Sequence, residues 1–184
     1  MPMIAAKRGG CVSLGQGTPS FATPAHVVEA VARSLRDEPA AGKYSLQPGM
    51  PALRQAVADQ LLAEKGLAAD PQTEIMISVG AMEALLAAVL TVIDRGDECL
   101  VPEPFYPSHV EQIVLAEGRP VFFPLRRKDW SLDAEAARAA VTPRTRAIII
   151  NSPHNPTGSV FAKDDLLQIA ELALEKDQIG RAHV

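Results

Sequence analysis

The sequence predicts an α/β fold, a mostly parallel sheet with helices on both faces, from three observations. From Glu74 onward, short apolar runs alternate with segments whose apolar residues recur at helical spacing. No two apolar runs bracket an Asn-Gly type turn, so the strands should be joined by helical crossovers and pair in parallel. The most apolar short run, Ala147-Ile148-Ile149-Ile150, leads directly into Asn151-Ser152-Pro153-His154-Asn155-Pro156-Thr157-Gly158. That reads as a buried strand ending in a rigid polar turn, and in an open α/β sheet ligands sit at such strand ends.

At 184 residues, 47% hydrophobic and 22% charged, the chain can build one globular core. A net charge of -4 argues against nucleic acid, whose phosphates call for basic patches. The cluster Arg126-Arg127-Lys128 reads as a solvated loop. Cys11 and Cys99 are isolated and show neither metal-ligand spacing nor disulfide density, which suits a reducing compartment. Met1 to Gly10 lacks the apolar stretch of a signal peptide, and Ala81 to Ile93 is too short to span a bilayer and contains Glu83. A cytoplasmic protein without metal, membrane or nucleic-acid partners is expected.

Residues 1–23 carry no periodicity and end in the turn-rich Gly15-Gln16-Gly17-Thr18-Pro19-Ser20-Phe21. Its G-x-G lacks a third glycine and a preceding strand, so it is not a dinucleotide fingerprint. Thr23-Pro24 opens a helix, Thr as cap and Pro at its first position, with Val27, Val28, Val31 and Leu35 as apolar stripe and an end near Pro39. A second helix runs from Pro51 to Lys65, with Leu53, Val57, Leu61 and Leu62 at core spacing, and Gly66 closes it.

Glu74 to Val79 reads as a strand, Gly80 as a turn and Ala81 to Ile93 as a helix. Such a junction presents free N–H groups at the positive end of a helix, a ready phosphate site. After the turn Asp94 to Asp97 come a strand, Glu98 to Val101, and the stiff loop Pro102-Glu103-Pro104-Phe105-Tyr106-Pro107. Three prolines leave this loop little entropy to lose, so its two rings are held in place cheaply, with Phe105 expected to fill the core beneath the following helix. The helix Ser108 to Glu117, the strand Val121 to Leu125, the helix Leu132 to Ala140 and the strand Arg146 to Asn151 follow. A last helix, Lys163 to Lys176, should bury Leu166, Leu167, Ile169, Ala170 and Leu174. The histidines at 26, 109, 154 and 183 lack metal-ligand spacing, and His154 reads as a satisfied surface residue rather than one at the mouth of the site. Asp129, Asp133 and Glu135 gather at a helix start, where carboxylates suit the dipole, rather than forming a catalytic pair.

The run NSPHNPTG resembles the signature turn of the class I and II aminotransferases, fold type I enzymes that use pyridoxal 5'-phosphate (PLP). Two further stretches agree. Leu14 to Phe21, LGQGTPSF, is similar to the family's substrate-carboxylate loop, and Lys43 to Val57, KYSLQPGMPALRQAV, resembles its K-Y-x-x-x-x-G-x-x-x-L-R stretch. By this resemblance Asn155 donates its amide to the phenolic oxygen of the cofactor, Tyr106 stacks on the pyridine ring, and the Asn155-Pro156 and Glu103-Pro104 bonds are cis. The backbone amides of Gly80, Ala81 and Met82 hold the cofactor phosphate. Many members carry a second glycine or a hydroxyl where this chain has Ala81 and Met82, so the amides remain but the hydroxyl contact does not. Gly17 turns its N–H to the substrate α-carboxylate, and Tyr44 reaches across a homodimer interface to the partner's phosphate.

The implied activity is ping-pong transfer of an amino group between an L-amino acid and a 2-oxo acid. The lysine that forms the Schiff base, and the aspartate that pairs with the pyridine nitrogen, lie beyond NPTG in the family and beyond this chain, so no catalytic residue is expected within it. Residues 1–43 should be an arm and the start of a small domain, and 44–178 the first half of the PLP-binding large domain. Ile179-Gly180-Arg181-Ala182-His183-Val184 fits no strand pattern, looks like translated adapter oligonucleotide, and is expected to be a non-native tail. In the family's sheet the strand matching Glu74 to Val79 pairs with later strands, so here it should lack ladder partners and leave the chain poorly stable alone. The alternative reading is a non-catalytic fragment or binding module with a residual phosphate or PLP site. A nucleotide-binding domain is disfavoured by the absence of G-x-x-x-x-G-K-[ST].

Overall fold

The computed structural model describes residue 17 and residues 19–175 and 179–183. The chain forms two compact units, Met1–Gln47 and Pro48–Val184. In the first, α1 (Ala25–Asp37) takes Pro24 as its N-cap, and the Pro24 carbonyl accepts from the Val27 and Val28 amides. The helix therefore begins one residue later than a Thr23 cap would place it. None of its residues is buried; the stripe of Val27, Val28, Val31 and Leu35 is exposed. Residues 14–16 and 18 of the Gly17 loop lie outside the described residues.

The second unit carries α2 (Pro51–Lys65), α3 (Gly80–Val92), β1 (Glu98–Glu103), α4 (Pro107–Leu115), β2 (Arg119–Pro124), α5 (Ala134–Ala140), β3 (Thr145–Asn151), α6 (Lys163–Glu175) and β4 (Ile179–His183). The strands order as β2-β1-β3-β4, and every neighbouring pair is parallel. Leu100 lies opposite Val121 on one side and Ile148 on the other.

Because side chains alternate across a strand, β1 and β3 each feed two cores. Leu100, Phe123, Ile148 and Ile150 pack with Ala134 and Ala137 of α5 and Ile169 and Leu172 of α6. Cys99, Val101, Ala147 and Ile149 pack on the opposite face with Val89 of α3 and Ile113 of α4. Burying each large aliphatic or aromatic side chain here contributes about 1.5–3 kcal/mol. Burial also pushes the Cys99 thiol up to about 12, so it is an inert part of the core.

Four expectations are corrected. Ile75 to Val79 forms no strand and joins no ladder, 79 being a bend, and 71–74 is a turn; the Ile77 amide donates instead to the Pro48 carbonyl at 2.9 Å. Residues 179–183, expected to fit no strand, form β4, in register from Ala147↔Ile179 to Asn151↔His183. Strand addition uses main-chain groups, and the free side of β3 offers them whatever the side-chain pattern. On α6 the buried residues are Ile169, Leu172 and Ala173, whereas Leu167 and Leu174 are exposed. On α2 the buried residues are Arg54 and Ala58, one position round from the Leu53 and Leu62 stripe, which stays exposed. Arg54 uses that burial to reach the loop after α2, donating from Nη1 to the Gln72 carbonyl at 3.1 Å. Gly66 does close α2, in the left-handed conformation at φ 66°.

At the N-terminal edge of the sheet, away from the polar turn, Glu98 is buried. It accepts from the Thr142 hydroxyl and from Arg144 Nη2 at 2.9 Å and Nε at 3.3 Å. The Thr142 hydrogen bond and the guanidinium lower its pKa, against a desolvation penalty that raises it. Arg144 is 62% exposed, so water screens the pair and Glu98→Gln should cost about 1–2 kcal/mol rather than the larger loss of a fully buried pair. Since the folded pKa lies below the unfolded one, this stabilisation is present above the ordinary carboxylate range and is lost as pH falls through the folded value. Urea curves of the two proteins should therefore separate near pH 7 and converge below the carboxylate range.

Candidate active site

Parallel strands place their C-terminal ends at one edge of the sheet. β1 leaves that edge through Glu103-Pro104, a cis bond, into Phe105 and Tyr106. Phe105 packs on the core between α3 and α4 and stacks on Phe122 with ring centroids 4.9 Å apart. Tyr106 becomes the N-cap of α4, half-buried, with His109 edge-on at 5.6 Å.

α3 reaches the same edge by connectivity: its C-terminus feeds the start of β1 through a short turn, so its N-terminus lies at the other end of the strands. Gly80, Ala81 and Met82 open it and are all exposed. First-turn N–H groups have no acceptor within a helix. The Gly80 amide closes back onto the Ser78 carbonyl at 2.9 Å, and the Glu83 carboxylate accepts from the Val79 amide. The amides of the exposed Ala81 and Met82 are the remaining first-turn donors. Gly80 sits at φ 79° with open space where a Cβ would be. Gln112 of α4 donates from Nε2 to the Met82 carbonyl at 3.0 Å, which ties this first turn to the helix that Tyr106 caps.

β3 supplies the third wall. Beyond it, Ser152-Pro153 and Asn155-Pro156 are both cis. The Asn151 side chain accepts from the Asn155 amide at 2.9 Å, and the Ser152 hydroxyl accepts from the Phe161 amide at 3.0 Å. His154 is only 3% exposed, which corrects the expectation of a surface histidine. Its ring lies against Phe161 at 5.3 Å, and its Nδ1 is 2.8 Å from the Thr157 hydroxyl. Burial holds its pKa below the ordinary histidine value. Asn155, the next residue, is exposed.

The second unit thus places Gly80, Ala81, Met82, Tyr106 and Asn155 on elements that end at one sheet edge. Gly17 and Tyr44 belong to the first unit, where both are exposed. A cleft of about 410 Å³ also opens at the ends of β1 and β2, lined by Glu103, Pro104, Pro124, Leu125, Arg127 and Trp130; none of the expected site residues lines it. Among the described residues, no cluster of His, Cys, Asp and Glu could hold a metal, and no helix is long and apolar enough to cross a membrane. Sequence reasoning missed Gln112 and the hydroxyls of Thr157 and Ser159. Their only signal was a glutamine three residues after His109 on the same helix face and two hydroxyls within five residues of His154.

The family model for aminotransferase class I and II matches residues 10–179. The chain belongs to this family. A probable N-succinyldiaminopimelate aminotransferase of Mycobacterium tuberculosis is 44% identical over 171 residues, 92% of this chain and 43% of that protein. An aspartate aminotransferase of Pyrococcus abyssi is 40% identical over 177 residues, 96% of this chain and 45% of that one. The solved N-succinyldiaminopimelate aminotransferase from Mycobacterium tuberculosis superposes with a TM-score of 0.90 at 41% identity, covering 98% of this chain and 47% of the solved one. The aminotransferase chain therefore spans less than half the length of these relatives, and its α/β sheet with helices on both faces is the fold of that family.

Proposed function

We propose that the protein carrying this sequence is a PLP-dependent transaminase that moves an amino group between an L-amino acid and a 2-oxo acid. The observation that supports the reading is that exposed first-turn residues of α3, a half-buried phenol ring and an exposed carboxamide lie on elements ending at one sheet edge. These groups fit a phosphate-bearing aromatic ligand: anion donors at the positive end of α3, a face for the ring, and a hydrogen-bond donor for its oxygen. The Glu83 carboxylate beside Val79 works against an anion there, and the positive end of the α3 dipole with its first-turn amides works for one. When bound, the cofactor supplies the electron sink that the polypeptide lacks.

In this reading Gly80, Ala81 and Met82 hold the phosphate, Tyr106 covers the ring, Asn155 donates to the phenolic oxygen, and Gly17 meets the substrate carboxylate. Tyr44 serves the partner's phosphate in a cytoplasmic homodimer. No lysine lies within Gly80 to Met82, at Tyr106 or within Asn151 to Gly158, which favours a second reading of these 184 residues taken alone: a binding piece that cannot complete the reaction. PLP titration followed by borohydride reduction and peptide mapping tests both. Saturable binding with one modified lysine beyond this sequence supports the transaminase. Saturable binding without a specific adduct supports the binding piece, and no saturable binding sinks both.

A further inference from the structure

The turn after β3 contains a chain of hydroxyls whose proton directions are fixed by counting. A carbonyl oxygen can only accept, so the Ser159 hydroxyl, 2.9 Å from the Trp130 carbonyl, donates its single hydrogen there. Ser159 Oγ can then only accept from the Thr157 hydroxyl, 3.1 Å away. Thr157 has now used its own hydrogen, so its Oγ1 accepts both from the Ser159 amide at 3.3 Å and from His154 Nδ1 at 2.8 Å. An oxygen that can only accept requires a hydrogen on Nδ1, and the partner of one ring nitrogen sets the tautomer of the whole ring.

The backbone of His154 is held by the same residues. Its N–H donates to the Ser159 carbonyl at 2.8 Å, and its C=O accepts from the Gly158 amide at 2.6 Å. Asn155 follows directly, its own amide anchored on the Asn151 side chain, so the exposed Asn155 stands on backbone hydrogen-bonded at two successive residues. We infer that His154 is a positioning residue for Asn155: the Trp130–Ser159–Thr157 relay locks its ring as the Nδ1–H tautomer and so fixes the turn from which Asn155 reaches its ligand. This rests on the reading that Asn155 holds the cofactor's phenolic oxygen, and the test separates the two.

The experiment uses the natural protein carrying this sequence, labelled with ring-¹⁵N histidine, the His154 signals being assigned by their loss in His154→Gln. Wild type should show His154 protonated at Nδ1 with a bare Nε2. Ser159→Ala leaves the Thr157 hydroxyl without its acceptor, so that it can donate to Nδ1, and the ring should move to the Nε2–H form. Thr157→Val should release the ring to exchange tautomers, and Thr157→Ser should restore the wild-type spectrum. PLP affinity, read from the visible absorbance of the bound cofactor, should fall about fivefold in Thr157→Val, the size of one lost neutral hydrogen bond. In an Asn155→Ala background the same substitution should have no further effect, because the two act through one contact. A wild-type Nε2–H ring overturns the inference, as does a Thr157→Val loss that is undiminished in Asn155→Ala. If Asn155→Ala alone leaves PLP affinity unchanged, the cofactor role of Asn155 fails while the tautomer result still stands or falls by itself.

Discussion

Ala81→Asp should weaken PLP binding by about 100-fold and leave the fold slightly more stable. The two effects have opposite signs because they come from the same field. The first turn of α3 carries the positive end of the helix dipole, where an added carboxylate stabilises the helix by about 0.3–1 kcal/mol. The same carboxylate would sit among the Ala81 and Met82 amides that are proposed to meet the cofactor phosphate. At a separation of about 5 Å and an effective dielectric of about 40, one charge against a phosphate dianion opposes binding by about 3 kcal/mol. Equilibrium titration with PLP, paired with thermal unfolding of both proteins, reads the two effects separately. Ala81→Asn, similar in size but uncharged, should bind within a few-fold of wild type, and the Ala81→Asp deficit should shrink as salt is raised because the site is open to solvent. An Ala81→Asp protein that binds PLP as tightly as wild type would move the phosphate away from α3 altogether.

The elements that periodicity read well are those whose neighbours lie within this sequence. β1 and β3 are buried along most of their length, so their runs are largely apolar, β2 keeps an apolar centre at the sheet edge, and α4, α5 and α6 make the crossovers that a parallel sheet requires. Ile75 to Val79 carries the same kind of pattern yet forms no ladder. A strand is a property of a pair, and no local preference supplies the partner. Residues 179–183 are the reverse case: a segment with no strand pattern joins β3 because an open sheet edge accepts main chain of any composition.

Within the candidate site, legibility follows the kind of force involved. The strand-to-helix junction at Gly80 and the Pro-bounded turn at Asn155 are backbone devices, and glycine and proline announce backbone devices directly. The burial of His154 was not legible. A histidine between two prolines looks like loop surface, and it is the Thr157 hydroxyl, itself bonded to Ser159, that meets its Nδ1 where it turns inward. Gln112 was missed for a similar reason. Its partner is the Met82 carbonyl on another helix, and a side chain bonding to distant backbone leaves no spacing to detect.

Gly49→Ala should destabilise the second unit by about 3 kcal/mol, and it should also loosen the candidate phosphate site. Gly49 lies at φ +98°, and a Cβ there would stand 2.6 Å from both Cβ and Cγ1 of Ile77. Ile77 Cβ is fixed to its backbone and cannot swing aside, so either Gly49 or the Ile75 to Val79 segment must move. That segment has no sheet ladder to hold it; the Ile77 amide on the Pro48 carbonyl is its described main-chain tie, and it runs into Gly80. Conformational strain and overpacking therefore add at one residue, each at about 1–2 kcal/mol. Gly66→Ala is the control, because Gly66 sits at φ +66° with open space around it and should lose about 1 kcal/mol from conformation alone. Urea unfolding of both variants gives the steric part as the excess of Gly49→Ala over Gly66→Ala. A clear excess, with weaker PLP binding in Gly49→Ala only, would mean that the cradle on α3 is held in place from the α2 side. Equal losses would mean that Ile77 yields, and that the first turn of α3 takes its position from Gln112 and α4 instead.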